Sequence, residues 1–166
     1  MTTTFPREDG PGAIFIAVDH CSAECVGIQA AKSGTRFEAL EPIRQGGRTA
    51  FGACGTGGAC GWRLWPEHGS QYLSQVFEEA VACLGIESSP AFVREPQGNG
   101  CAERFIRTLK ENLLWLTTFD TVEERRVALL ACKATYNATW LIGRHGYKTP
   151  APVRQEQLTA FATQAA

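Results

Sequence analysis

Glu67 ends the stretch Trp62 to Glu67, and Glu103 follows 36 positions later, just past a Gly-Asn-Gly triplet. Two carboxylates from separate elements can converge on one hard cation, and oxygen ligands of this kind suit Mg²⁺ or Mn²⁺. Ions held in this way assist phosphoryl transfer at both the attacking and the leaving oxygen. Arg107 and Lys110 stand at i+4 and i+7 from Glu103 and share its helical face, while Phe105, Ile106, Leu109 and Leu113 form the apolar side. A carboxylate with two cations on one exposed face suits a metal beside a DNA phosphate. The plainer reading of that face is solvated surface with a Glu–Arg pair worth a few tenths of a kcal/mol.

The elements that must carry these residues are legible in outline. Ala13 to Val18 and Cys25 to Ala30 are short apolar β-prone runs joined by Asp19, His20, Cys21 and Ser22, which reads as a hairpin. Thr35 with Glu38 forms a capping box for a helix that Gly46 and Gly47 are expected to stop. Seven glycines between Gly46 and Gly61 predict a flexible loop. Trp62 to Trp65 reads as a brief strand. Ser70 opens an amphipathic helix through Tyr72, Leu73, Val76, Phe77, Val81 and Leu84, ended by Gly85. Residues 87–100 read as a loop, and Asn99 stands as N-cap for a helix over Cys101 to Leu116. Thr121 and Glu124 cap a helix reaching about Tyr136, before Gly143, Gly146 and Pro150 break the pattern. Strands first and helices after predict an α/β class, with a small mixed sheet flanked by helices.

Composition narrows the functions. The 166 residues suit one domain, and a net charge of -1 confines any nucleic-acid binding to a local patch. Seven cysteines without a Cys-x-x-Cys pair argue for a reducing cytosol and against structural zinc. No apolar run approaches membrane-spanning length, and residues 1–10 lack the features of a signal peptide. The glycine-rich stretch lacks the order of a nucleotide-binding P-loop. Ser22 and Ser70 have no His and Asp partners at suggestive spacing for nucleophilic catalysis. The four tryptophans read as buried anchors rather than base-stacking platforms. His20, His68 and His145 read as loop-ordering hydrogen-bonders. Asp9, beside Gly10, reads as a turn residue. Arg125, Arg126, Arg144 and Lys148 are open between phosphate contacts and solvated surface.

The segments Glu67-His-Gly-Ser-Gln-Tyr, Gly85-Ile, Gly98-Asn-Gly-Cys-Ala-Glu-Arg-Phe-Ile-Arg-Thr-Leu-Lys, Tyr136-Asn and His145-Gly-Tyr-Lys-Thr-Pro occur in one order. Together they resemble the integrase catalytic core, of the DDE superfamily, found in bacterial insertion-sequence transposases. The likeness runs from about Ala13 to about Val153. It implies a ribonuclease H-like fold and metal-dependent DNA strand cleavage and transfer. It also implies Mg²⁺ (or Mn²⁺) as cofactor and double-stranded DNA as substrate. A homo-oligomer is implied when the protein is active, in the bacterial cytoplasm.

In that family an Asp on the first strand, an Asp before His/Arg-Gly-Ser-Gln-Tyr and a Glu on a later helix bind the metals. Glu103 matches the third position. Glu67 stands at the second with one methylene more than the usual Asp, which implies reduced activity. The Thr2-Thr3-Thr4 run resembles residues just beyond the first Asp, which would fall before Met1, so the resemblance implies an N-terminally truncated core with an incomplete acidic triad. Asp19 is open between a substitute metal ligand and a turn residue. Arg104, Arg107 and Lys110 match DNA-contacting positions. Residues 1–155 are then the core and 156–166 a C-terminal tail. The rival readings are an inactive remnant that at most binds DNA, and a ribonuclease acting on RNA–DNA hybrids, which shares the fold.

Overall fold

The apolar run at Ala13 forms strand β2 (Gly12–Val18), and it lacks polar alternation because both of its faces are covered. Ile14 and Ile16 enter a core with Phe105, Ile106, Leu109, Leu129 and Tyr136. Ala13 and Phe15 point the other way, among Leu40, Ile43, Tyr72, Phe77 and Val81. The structure, a computed structural model, describes residues 1–5, 12–52, 55–67, 69–89 and 100–164.

β2 is the middle of a three-stranded antiparallel sheet, between β1 (Thr2–Phe5) and β3 (Cys25–Ala31). The expected hairpin is present, with Ile14 opposite Ala30 and Ile16 opposite Ile28. On the other side Thr2 faces Phe15, and the ladder continues through Met1 and Ile16. β4 (Arg63–Leu64) and β5 (Glu87–Ser88) form a separate parallel pair, so both pairing directions of the expected mixed sheet occur among the described residues.

Helix α1 (Arg36–Phe51) is capped by Thr35, whose hydroxyl accepts from the Glu38 amide. The box is not closed reciprocally, since Glu38 accepts from Gln29 instead. Contrary to expectation, Gly46 and Gly47 do not stop this helix; both are buried inside it, and it ends at Gly52 with φ +74°. The reason is tertiary. A Cβ on Gly46 would lie 3.0 Å from the Trp62 ring and 3.1 Å from Val26, so the glycine lets α1 approach the sheet closely. Gly27 on β3 does the same from the other side: its Cβ would fall 1.9 Å from the carbonyl oxygen of Pro42 in α1.

Helix α2 (Gln75–Cys83) starts later than the periodicity from Ser70 predicts. Ser74 is the cap, accepting from the Phe77 amide, and residues 70–74 turn so that Tyr72 enters the core while Leu73 is exposed. Gly85, at φ +79°, follows its end as expected. Helix α3 (Gly100–Leu109) gives way to a π turn over Lys110–Leu114, where a single α-helix to Leu116 was expected. Helix α4 (Val122–Thr139) carries the full Thr121–Glu124 capping box and runs one turn beyond Tyr136. A short 3₁₀ turn at Gly143–His145 precedes helix α5 (Pro150–Gln164), so residues 156–164 of the expected tail are helical. The expected cap Asn99 and turn residue Asp9 lie outside the described residues.

β3 is an edge strand, and two helices satisfy its outward backbone groups. Gln45 of α1 accepts from the Ile28 amide at 3.0 Å and donates to its carbonyl at 3.1 Å. Asn137 of α4 does the same to Cys25, both bonds 2.9 Å, and Lys133 donates to the Val26 carbonyl. Filled in this way, the edge offers few free groups to another strand.

Candidate metal and nucleic-acid site

Glu67 stands just past β4 and reaches the start of β1. The Thr2 amide donates to its Oε2 at 2.9 Å. The Thr2 hydroxyl shares a 2.8 Å hydrogen bond with the Tyr72 hydroxyl and accepts from Gln71 Nε2 at 3.1 Å. Tyr72 is buried with its ring edge-on to Phe77, centroids 5.3 Å apart. Burial pushes its phenol up to about 12, against the opposing influence of the Thr2 hydrogen bond, so it stays protonated at neutral pH.

Glu103 occupies the first turn of α3 and is exposed, as are Arg104 and Arg107, while Phe105, Ile106 and Leu109 are buried, as their spacing predicts. Lys110 is half-buried and opens the π turn. Arg107 Nε donates to Glu111 at 2.8 Å, so its i,i+4 partner is on the C-terminal side. Arg104 and Lys110 form no ion pair among the described residues.

The two carboxylate-bearing segments meet at the hairpin bend. Trp65, two positions before Glu67, packs edge-on against the His20 ring at 5.8 Å. Cys101, two positions before Glu103, donates its thiol to the His20 carbonyl at 3.8 Å. Met1 and Ala102 both pack against the core that holds Ile14, Ile16 and Phe105. Arg144 ties the 3₁₀ turn to this bend by donating to the carbonyls of His20 and Cys21.

Asp19 accepts from the amide and hydroxyl of Ser22 and lies 3.3 Å from Arg154 Nη1. Arg154 also pairs with Glu24 at 3.0 Å, where burial raises the carboxyl above its usual range against the pull of the guanidinium. Arg154 is a bend-ordering residue that no local motif announced. Among the described residues no group of three or more His, Cys, Asp or Glu is placed to hold a metal ion. The pair Glu67 and Glu103 offers oxygen donors only, which fits a Mg²⁺-type cation held by one or two carboxylates, with water and substrate phosphate supplying the rest. His68 lies outside the described residues.

The other candidate phosphate contacts are engaged within the fold: Arg126 with Glu123, Lys148 with Glu156, and buried Arg125 over the Phe119 ring. The tryptophans correct the expectation of four buried anchors. Trp65, Trp115 and Trp140 are exposed, at 44%, 69% and 40%. Trp115 sits where the π turn ends α3, outside the apolar stripe that the helix buries.

Residues 84–150 match the integrase core domain family. No curated protein is detectably similar in sequence. The chain resembles the catalytic core domain of BIV integrase with a TM-score of 0.68 and 20% identity, over 97% of this chain and 95% of that one. It resembles the HTLV-2 integrase catalytic core domain in complex with magnesium, in trimeric form, with a TM-score of 0.65 and 18% identity, over 92% and 91%. A chain of the simian T-cell lymphotropic virus intasome matches with a TM-score of 0.63 and 19% identity, over 92% of this chain and 51% of that one. The architecture is that of the ribonuclease H-like α/β class. The match over 84–150 thus falls within a chain whose fold is that of the integrase catalytic cores. Among the described residues no helix is long and apolar enough to cross a membrane.

Proposed function

We propose that the chain is the core of an enzyme that cleaves and transfers DNA strands, with Mg²⁺ or Mn²⁺ held between Glu67 and Glu103. The observation that carries this reading is the meeting of both carboxylate-bearing segments at His20. The cation, when bound, supplies Lewis-acid stabilisation of the charge that builds on a transferring phosphate. Arg104 and Lys110 hold flanking phosphates of double-stranded DNA, with Arg107 beside them. Glu67, longer than Asp by one methylene, makes activity lower than a pair of shorter ligands would give. Joining two DNA ends calls for a homo-oligomer, and the setting is the bacterial cytoplasm.

Titration of Mn²⁺ by calorimetry tests the site. Glu103→Gln is expected to weaken binding by at least about tenfold, in line with loss of a metal-ordering group. Unchanged affinity sinks the proposed cation site. One observation favours the second reading, an inactive remnant that at most binds DNA: the described residues gather no third carboxylate. A remnant at most binds duplex DNA, binds no Mn²⁺, and nicks nothing when the metal is supplied.

A further inference from the structure

We propose that Gln71 and Tyr72 are positioning residues that fix the Glu67 carboxylate indirectly, by clamping Thr2. This rests on the reading of Glu67 as a cation ligand. The three residues lie within one hexapeptide, yet all converge on a residue about seventy positions away in sequence: Glu67 on the Thr2 amide, Gln71 and Tyr72 on the Thr2 hydroxyl. A hydroxyl that meets two side chains while its own backbone amide holds a carboxylate has little freedom to rotate. The Thr2 amide therefore points at one place, and Glu67, with one more rotatable bond than Asp, is held in one rotamer. Tyr72 is anchored in turn by burial against Phe77, and its phenol remains protonated throughout the neutral range.

The role matters because a metal ligand's affinity depends on the groups that orient it, and removing such a group costs about 10- to 100-fold in binding. The clamp also assigns work to the Gln-Tyr pair that neither residue's chemistry suggests by itself, since neither touches the proposed cation position through a charged atom.

The test uses the whole chain and two measurements. The first is hydrogen exchange of the Thr2 amide by NMR in metal-free protein; the second is Mn²⁺ affinity by calorimetry. Thr2→Val keeps the shape and removes the hydroxyl, and Tyr72→Phe keeps the ring against Phe77. Each is expected to speed Thr2 exchange and to weaken Mn²⁺ binding by about tenfold or more. Thr2→Ser is expected to restore both, and the Thr2→Val/Tyr72→Phe double variant is expected to be no worse than Thr2→Val alone, because that single change already removes the bond to Tyr72 together with the one from Gln71. Wild-type exchange and wild-type Mn²⁺ affinity in Thr2→Val and Tyr72→Phe, with binding lost in Glu67→Gln, overturn the clamp and leave the cation site standing. Unchanged Mn²⁺ affinity in Glu67→Gln overturns the cation site instead, and Thr2 exchange then decides the clamp by itself.

Discussion

Arg104 and Lys110 differ from Arg107 in what they already hold. The Arg107 guanidinium is committed to Glu111, whereas the other two cations have no ion pair among the described residues. A cation that need not abandon a partner gives more of its charge to an incoming phosphate. Arg104→Ala and Lys110→Ala are each expected to weaken duplex binding about uniformly across sequences, and each to reduce the salt slope of log affinity by about 1. Arg107→Ala is expected to do less, because the exposed Glu111 it leaves behind regains water. Fluorescence anisotropy across a salt series reads all three; a large Arg107 effect beside silent Arg104 and Lys110 refutes the assignment. The i and i+4 spacing places Glu103 and Arg107 on one side of α3, where both are exposed, while Lys110 at i+7 is half-buried and opens a π turn that spacing does not foretell. Thr2, Gln71 and Tyr72 were not legible as a unit. Their types stood in plain view, but a hydrogen bond across about seventy positions leaves no periodic trace.

Among the elements, the hairpin strands and the caps at Thr35, Gly85 and Thr121 followed local rules, whereas β5 lies in a stretch read as loop and the end of α1 overran its expected stop. Gly46 and Gly47 read as helix breakers because glycine costs about 0.5 to 1 kcal/mol in a helix interior. That rule omits what a missing side chain permits, here the approach of α1 to Val26, Trp62 and β3. Gly27 is the sharpest instance. Its added Cβ would meet backbone, the Pro42 carbonyl at 1.9 Å, and neither strand nor helix can yield as a side chain could. Gly27→Ala is expected to cost about 3 kcal/mol or more in urea unfolding, at or beyond the upper range for overpacking. Gly143→Ala, with nothing within 4 Å, serves as the control and is expected to be close to neutral. Equal losses at both sites would mean that the close helix–sheet approach is not what Gly27 secures. The same packing brings Gln45 to the edge of β3, a contact that amide type and helix periodicity do not foretell.

For the molecule as a whole, the two cores on either side of β2 each contain weak acids that burial keeps neutral well into the alkaline range. Cys25 and Tyr136 belong to one core and Tyr72 to the other. Burial pushes all three up to about 12, from ordinary values of 9.0 for the thiol and 10.0 for the phenols. The folded chain therefore keeps these protons at a pH where the unfolded chain has lost them. Protons bound more tightly in the folded state mean that stability falls as pH rises. The contribution is complete below about pH 9 and is lost progressively toward about pH 12. Because the acids sit on both faces of one sheet, ionising them is expected to open both cores together. The urea midpoint should drop steadily across this window, and phenolate absorbance should rise in the same transition that removes the circular dichroism of the helices. Tyr147 is exposed, so the absorbance is read in a Tyr147→Phe background; phenolate appearing there gradually while the helical signal persists would show that Tyr72 and Tyr136 reach solvent without unfolding, and that the two cores are not closed in the way the packing of β2 requires.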